Sequence, residues 1–223
     1  MTPTADVPEV VAHGVTKRFG SAHQVLGGIE LTALAGTMTV VLGAPGAGKS
    51  TLIRCLAGVY LPDAGGVTYR VGSEAVDLAK ADARTVASMR AHHIASFDEL
   101  MAAAPRLPAA EAAARAARSD RAATIGTFTR FRVDDLASVP IGRLRPADRL
   151  TVALMATLST DRPFVLLDSP ERFADPKVLT GWLRCLTDRG VAVVATGTPD
   201  STLAAAASAV GQLSEGRIEW HRR

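Results

Sequence analysis

MTVVLGAPGAGKS, residues 38–50, decides the fold. Met38 to Leu42 form a short run rich in apolar and β-branched side chains, the pattern of a strand covered on both faces. Gly43 to Ser50 then fit the spacing G-x-x-x-x-G-K-[ST] in full, and the residues after them, TLIRCLAG, suit a helix from about Ser50 to Leu56 that Gly58 ends. A strand, a glycine-rich loop and a helix in that order build a phosphate cradle. Glycines let the backbone N–H groups of Gly43, Ala44, Gly46, Ala47 and Gly48 curl around phosphate oxygens, and the helix N-terminus adds positive potential. Lys49 is placed to reach the β- and γ-phosphates, the Ser50 hydroxyl to ligate Mg2+, and Thr51 to lie close to the α-phosphate. A glycine-rich turn with a merely solvated lysine would explain neither the strand before it nor the helix after it.

FVLLDSPE, Phe164 to Glu171, is the second anchor. Four apolar residues run into Asp168, and a carboxylate at a strand end is a magnesium partner for the loop serine. Hydrolysis calls for a second acid beside the first, and here the neighbour is Ser169.

The 223 residues, 48% of them hydrophobic, suit one domain with a subdomain and a sizeable core. Short apolar runs alternate with helical patterns, which predicts an α/β fold with a mostly parallel sheet. Val10-Val11 and Val25 to Leu34 read as early strands, and Gly65 to Leu78 as a hairpin turning at Gly72-Ser73. Ala81 to about Ala91 reads as helix, and the alanine-rich stretch 101–127 as short helices, since alanine is the best helix former. Pro146 and Asp148 open a further helix, with Leu150, Leu154 and Leu158 on one face. Val191 to Ala195 is a buried strand, Asp175-Pro176 starts the helix before it and Gly190 stops that helix. Ser214 to Gly216 turn the chain into a last strand, Ile218 to Trp220. The expected layout is a core of residues 1–94 and 161–223 with a helical subdomain at about 95–160.

No run approaches the ~20 apolar residues that span a membrane, and the N-terminus lacks a basic segment followed by an apolar one, so a cytoplasmic protein without direct membrane insertion is expected. Twenty-five basic residues are scattered among 22 acids, which gives no nucleic-acid face. Cys55 and Cys185 lie far apart and fit no metal spacing, and His92-His93 reads as a helix end.

On these motifs the chain resembles the nucleotide-binding domain of the ABC ATPases: residues 15–67, from VTKRFG through the loop to DAGGV, look like the N-terminal half, and LSEGRIEW (213–220) like the last strands. The resemblance implies the P-loop NTPase architecture of that family, with an N-terminal antiparallel β part and a helical subdomain, and ATP with Mg2+ as cofactors. Within the family, YLPDAGGV, AVDL and RTVASMRAHHIASF, in residues 57–110, resemble the PhnL-type accessory proteins of phosphonate C–P lyase systems. The resemblance makes Phe19 the aromatic that stacks on adenine and Glu99 the counterpart of a glutamine near the magnesium.

The departures from the family pattern fall together. Leu144 to Asp148, LRPAD, stand where a glycine-rich signature would close on a partner's γ-phosphate, and Asp148 would repel that phosphate. Ser169 takes the place of the catalytic glutamate and Gly197 that of the switch histidine. Asp175 matches the family's loop aspartate, and also suits a helix cap. Glu171 is close in sequence, but Pro170 aims it elsewhere. Loss of a general base costs ~10²–10⁴-fold in rate. The expectation is an ATP-binding subunit with weak or absent hydrolysis. It would work as a nucleotide-dependent docking subunit beside a second ABC-type subunit or in a larger enzyme or transport complex. The alternatives are an ATP-hydrolysing energy-coupling subunit of an ABC transporter and a structural module with a relic loop.

Overall fold

The computed structural model describes residues 7–20, 23–97 and 105–221. Two sheets organise the chain. The first is antiparallel, in the order β2-β1-β4-β5, from β1 (Glu9–Phe19), β2 (His23–Leu34), β4 (Ala64–Val71) and β5 (Glu74–Asp77). The second has the order β10-β9-β3-β8-β7-β6, from β3 (Met38–Leu42), β6 (Ile94–Ser96), β7 (Phe164–Leu167), β8 (Ala192–Gly197), β9 (Ala209–Ser214) and β10 (Arg217–His221). Its strands pair in parallel except for β10 on β9. An antiparallel β part, a parallel-rich sheet and helices are thus all present, the layout that the sequence resemblance implies.

The three central strands are buried along their whole length, which is why their sequences run apolar without alternation. β1 is much longer than Val10-Val11, the part evident from its sequence. Gly14, Thr16 and Lys17 dilute its apolar pattern, and register shifts after Ala12 and Val15 bend it.

Helix α1 (Lys49–Leu56) follows the glycine loop, and Gly58 at φ +66° closes its C-terminal turn. Helix α2 (Ala83–His92) is capped by Asp82, whose side chain accepts from Thr85 N. Residues 101–104 of the alanine-rich stretch lie outside the described residues; the rest folds into α3 (Ala109–Ala117) and α4 (Arg121–Arg130), and a short α5 (Asp134–Ala137) leads into α6 (Pro146–Leu158). Pro146 opens α6 at its first turn, and Leu154 and Leu158 are buried while Leu150 faces a cleft. Helix α7 (Pro176–Asp188) is capped by Asp175, which accepts from the N–H groups of Lys177 and Val178.

Two cores flank the six-stranded sheet. One gathers the helices α3, α6 and α7 with Phe128 at its centre. The other lies between the sheets, where α1 packs among β1, β2 and β4. Trp220 Nε1 donates to Glu30 O at 3.1 Å and Gly27 N to Gly216 O at 2.7 Å, tying the two sheets along one side. No helix among the described residues is long and apolar enough to cross a membrane.

Tyr69 is fully buried, edge-on to Phe164 at 4.7 Å, and its hydroxyl donates to Leu56 O at 2.9 Å, the carbonyl at the end of α1. Burial drives its hydroxyl far above the usual phenol range. Tyr69→Phe leaves that carbonyl unpaired in an apolar setting, and we expect a loss of about 1–3 kcal/mol in unfolding free energy. Urea denaturation reads it as a lower midpoint with an unchanged slope.

Candidate functional site: the loop, its lysine and Asp168

The backbone of the loop is set by close packing. Gly48 precedes α1 at φ +103°, in the left-handed region, and a Cβ there would meet Val25 Cγ1 at 3.0 Å. A Cβ on Gly43 would meet Leu213 O at 2.8 Å, so β9 holds the loop's first turn closed. The chain therefore leaves β3, passes under Leu213, and turns into α1 against β2. Gly43 N donates to Gly197 O at 3.1 Å and Leu52 N to Gly48 O at 2.9 Å. Ala44, Pro45 and Gly46 form an open crest.

Lys49 is buried, and its Nζ donates to Gly43 O at 2.7 Å and Ala44 O at 2.8 Å. Burial pushes its ammonium below the usual lysine range, and the charge of Asp168 works against that shift. A positive charge held inside a loop of backbone amides and next to one carboxylate is the electrostatic setting of a polyphosphate site.

Ser50 Oγ donates to Asp168 Oδ2 at 2.5 Å. The other carboxylate oxygen, Oδ1, accepts from Thr196 Oγ1 at 2.8 Å and from Ser169 Oγ at 3.3 Å. Thr196 is fully buried and also accepts from Ser169 N at 3.0 Å. It orients Asp168, as outer-shell groups do around metal ligands. Sequence reasoning missed it. The signal is the register β7·β8, which pairs Leu167 with Ala195 and so brings Thr196 level with Asp168.

The donor set suits Mg2+. Among the described residues no group of three His, Cys, Asp or Glu could hold a metal. Mg2+ takes few protein oxygens and completes its shell with phosphate and water, and a hydroxyl touching a carboxylate meets that need.

The other expected residues fall as follows. Phe19 ends β1, 42% exposed, with its ring edge-on to Tyr60 at 5.5 Å and Lys17 Nζ 5.8 Å from its centroid. Its ring is thus partly exposed, with Lys17 over one face. Thr51 is half-buried in the first turn of α1. Glu99 lies outside the described residues. Asp148 does not present a bare charge: Arg145 Nε and Nη2 hold it in a fork at 2.8 and 3.2 Å, and that fork keeps its carboxyl below the usual range. Asp175 is a helix cap. Glu171 points away from Asp168, onto Ser201 and Thr202. A cleft of about 190 Å³ lies beside the site, lined by Ser50, Arg54, Phe97, Leu150, Asp168 and Phe173 among others.

The sequence profile of the family described as "ABC transporter" matches residues 26–172, about two thirds of the chain. The ribose import ATP-binding protein RbsA of Jannaschia sp. (strain CCS1) is 31% identical over 177 residues, 76% of this chain and 34% of that protein. The macrolide export ATP-binding/permease protein MacB 2 of Aeromonas hydrophila is 27% identical over 227 residues, 95% of this chain and 34% of that protein. The chain thus spans about a third of the length of these two relatives. Among solved structures, the dimeric ABC transporter cassette MJ0796 superposes with a TM-score of 0.80 at 20% identity, over 94% of this chain and 96% of that one. A bacterial Atm1-family ABC exporter with ATP bound superposes with a TM-score of 0.74 at 20% identity, over 97% of this chain and 40% of that one. The fold, the loop geometry and the profile agree: the chain belongs to the ABC transporter family and is an ATP-binding domain of that family.

Proposed function

We propose that this chain grips Mg-ATP at Gly43–Thr51 and Asp168 and turns it over slowly or not at all, so that the bound nucleotide serves as a docking signal. One observation carries this: the residue after Asp168 is Ser169, and its hydroxyl turns onto Asp168 Oδ1 at 3.3 Å. A serine in that contact has no partner to make it a base at neutral pH. Glu171, the next acid in the chain, is engaged through both oxygens by Ser201 and Thr202. Gly197 carries no side chain toward a γ-phosphate. LRPAD, with Arg145 and Asp148 locked together, offers a partner's nucleotide no glycine backbone to approach.

Phe19, partly exposed at the end of β1, then stacks on the adenine, and Lys49 and Ser50 take the phosphates and the ion. Residues 1–94 and 161–223 act as the nucleotide core and about 95–160 as a helical unit facing the partner. The likeness of residues 57–110 to PhnL-type proteins points to a partner in phosphonate C–P lyase machinery, beside a second, intact ABC subunit. The import and export relatives favour a second reading, an energy-coupling subunit that hydrolyses ATP for a permease.

Nucleotide affinity and phosphate release by the purified chain separate the two. Micromolar Mg-ATP binding with negligible release is expected, and Lys49→Ala should weaken binding by at least tenfold. Turnover of about one per second that vanishes in Lys49→Ala overturns the docking role in favour of the transporter one. An unchanged melting temperature at saturating Mg-ATP overturns both.

Thr196→Val tests the outer support of the magnesium ligand. It removes one donor to Asp168 at nearly constant volume, and we expect Mg-dependent ATP affinity to fall about 10–100-fold. Affinity measured with EDTA present should hardly change.

A further inference from the structure

The turn after β8 is tied shut, and the tie accounts for one departure from the family pattern, the glycine at 197. Glu171 sits in the short turn after β7, where Pro170 is buried and fixes the backbone. Its Oε2 accepts from Ser201 Oγ, and its Oε1 accepts from Thr202 N at 3.1 Å and Thr202 Oγ1 at 2.7 Å. Three donors on one carboxylate saturate it in a strong, charge-assisted cluster. Ser201 is itself buried and holds the next turn by accepting from Leu203 N at 3.3 Å, with Leu203 fully buried beneath it. Ser201 N donates to Thr198 O at 3.0 Å, closing residues 198–201 into a tight turn around Pro199.

Gly197 belongs to the same arrangement. A Cβ there would meet Ser201 Cβ at 2.6 Å and Ser201 Oγ at 2.7 Å. Any side chain at 197 displaces Ser201, and Ser201 is held by Glu171. The glycine is therefore required by the closed turn. The histidine expected from the family could not enter this position while the turn stays closed.

We propose that Glu171 is a positioning residue that latches residues 198–202 to the end of β7, so that this turn does not respond to the nucleotide. The latch also keeps the Glu171 carboxylate from standing in for the base absent at 169. The proposal rests on Mg-ATP binding as set out above, and stands whether or not the ATP is hydrolysed.

Hydrogen–deuterium exchange of the full chain, with and without Mg-ATP, tests it. In the wild type, amides of 198–204 should exchange at the same rate in both conditions, while amides of 43–52 slow on adding Mg-ATP. In Glu171→Ala, exchange at 198–202 should rise at least tenfold without nucleotide and become sensitive to Mg-ATP through Thr196, which precedes the turn and donates to Asp168, with ATP affinity within about threefold of wild type. A purely packing role would raise exchange without creating sensitivity to Mg-ATP. Glu171→Gln, which keeps one acceptor, should fall between the two. If Glu171→Ala does not fold, Thr202→Val removes one hydroxyl donor from an exposed position and is read in the same way, with a smaller rise. Mg-ATP-dependent exchange at 198–202 in the wild type, or unchanged exchange in the variants, overturns the latch. If the wild type binds no Mg-ATP, the nucleotide-free comparison of wild type with Glu171→Ala still decides whether the turn is latched, while the proposed function alone fails.

Discussion

One constraint shapes the functional half of this chain: a helix must start directly above the end of a strand that is buried on both faces. The chain makes that change in six residues, through Gly43 under Leu213 and Gly48 at φ +103° against Val25. A left-handed residue at the helix start costs little only for glycine. Once it is in place, the chain turns into α1, Gly43 N and Ala47 N pair with Gly197 O and Ala44 O, and Lys49 folds back onto two loop carbonyls. The antiparallel sheet contributes the other wall. Its β2 supplies Val25, so the two sheets must be docked before the loop can take its shape. Trp220 and Gly216 hold that docking from the far edge.

The site is built from strand ends brought level by parallel register. β7 delivers Asp168, β8 delivers Thr196 and Gly197, and β3 runs into the loop. Parallel strands place their C-terminal ends on one side of the sheet, where ligands of open α/β sheets bind. The Asp168 carboxylate is shared by three hydroxyls, from Ser50, Ser169 and Thr196. Burial disfavours the charged form of Lys49, and the charge of Asp168 opposes that shift. Two paired acids lie outside this arrangement: Asp148 is neutralised by Arg145, and Glu171 is spent on the turn after β8. Among the described residues, one lysine and one aspartate stand at the loop itself, with Arg54 and Arg172 lining the cleft beside it.

Strands buried on both faces were legible from sequence because no polar residue interrupts Phe164–Leu167 and little interrupts Met38–Leu42. The caps Asp175 and Asp82 and the stops at Gly58 and Gly190 follow from local chemistry, although Asp82 was not singled out. β1 was seen only at Val10-Val11, because bulges break its alternation and its later residues pair with β2 rather than read as apolar. Gly43, Lys49, Ser50 and Asp168 could be named from spacing alone. Thr196 and the Glu171–Ser201–Thr202 cluster could not, since each depends on which strand lies beside which. The charge on Asp148 was visible, but not the arginine three residues earlier that folds over it.

The six-stranded sheet ends on one side at β6, which is only three residues long, Ile94–Ser96. Its side carries a cleft of about 420 Å³ walled by alanines and by Arg90 and Arg162. So brief an edge offers too few free amides and carbonyls to recruit a strand from a second molecule, and the neighbouring cations discourage stacking of like copies. At this edge the apolar central strands are thus shielded from pairing with a second molecule.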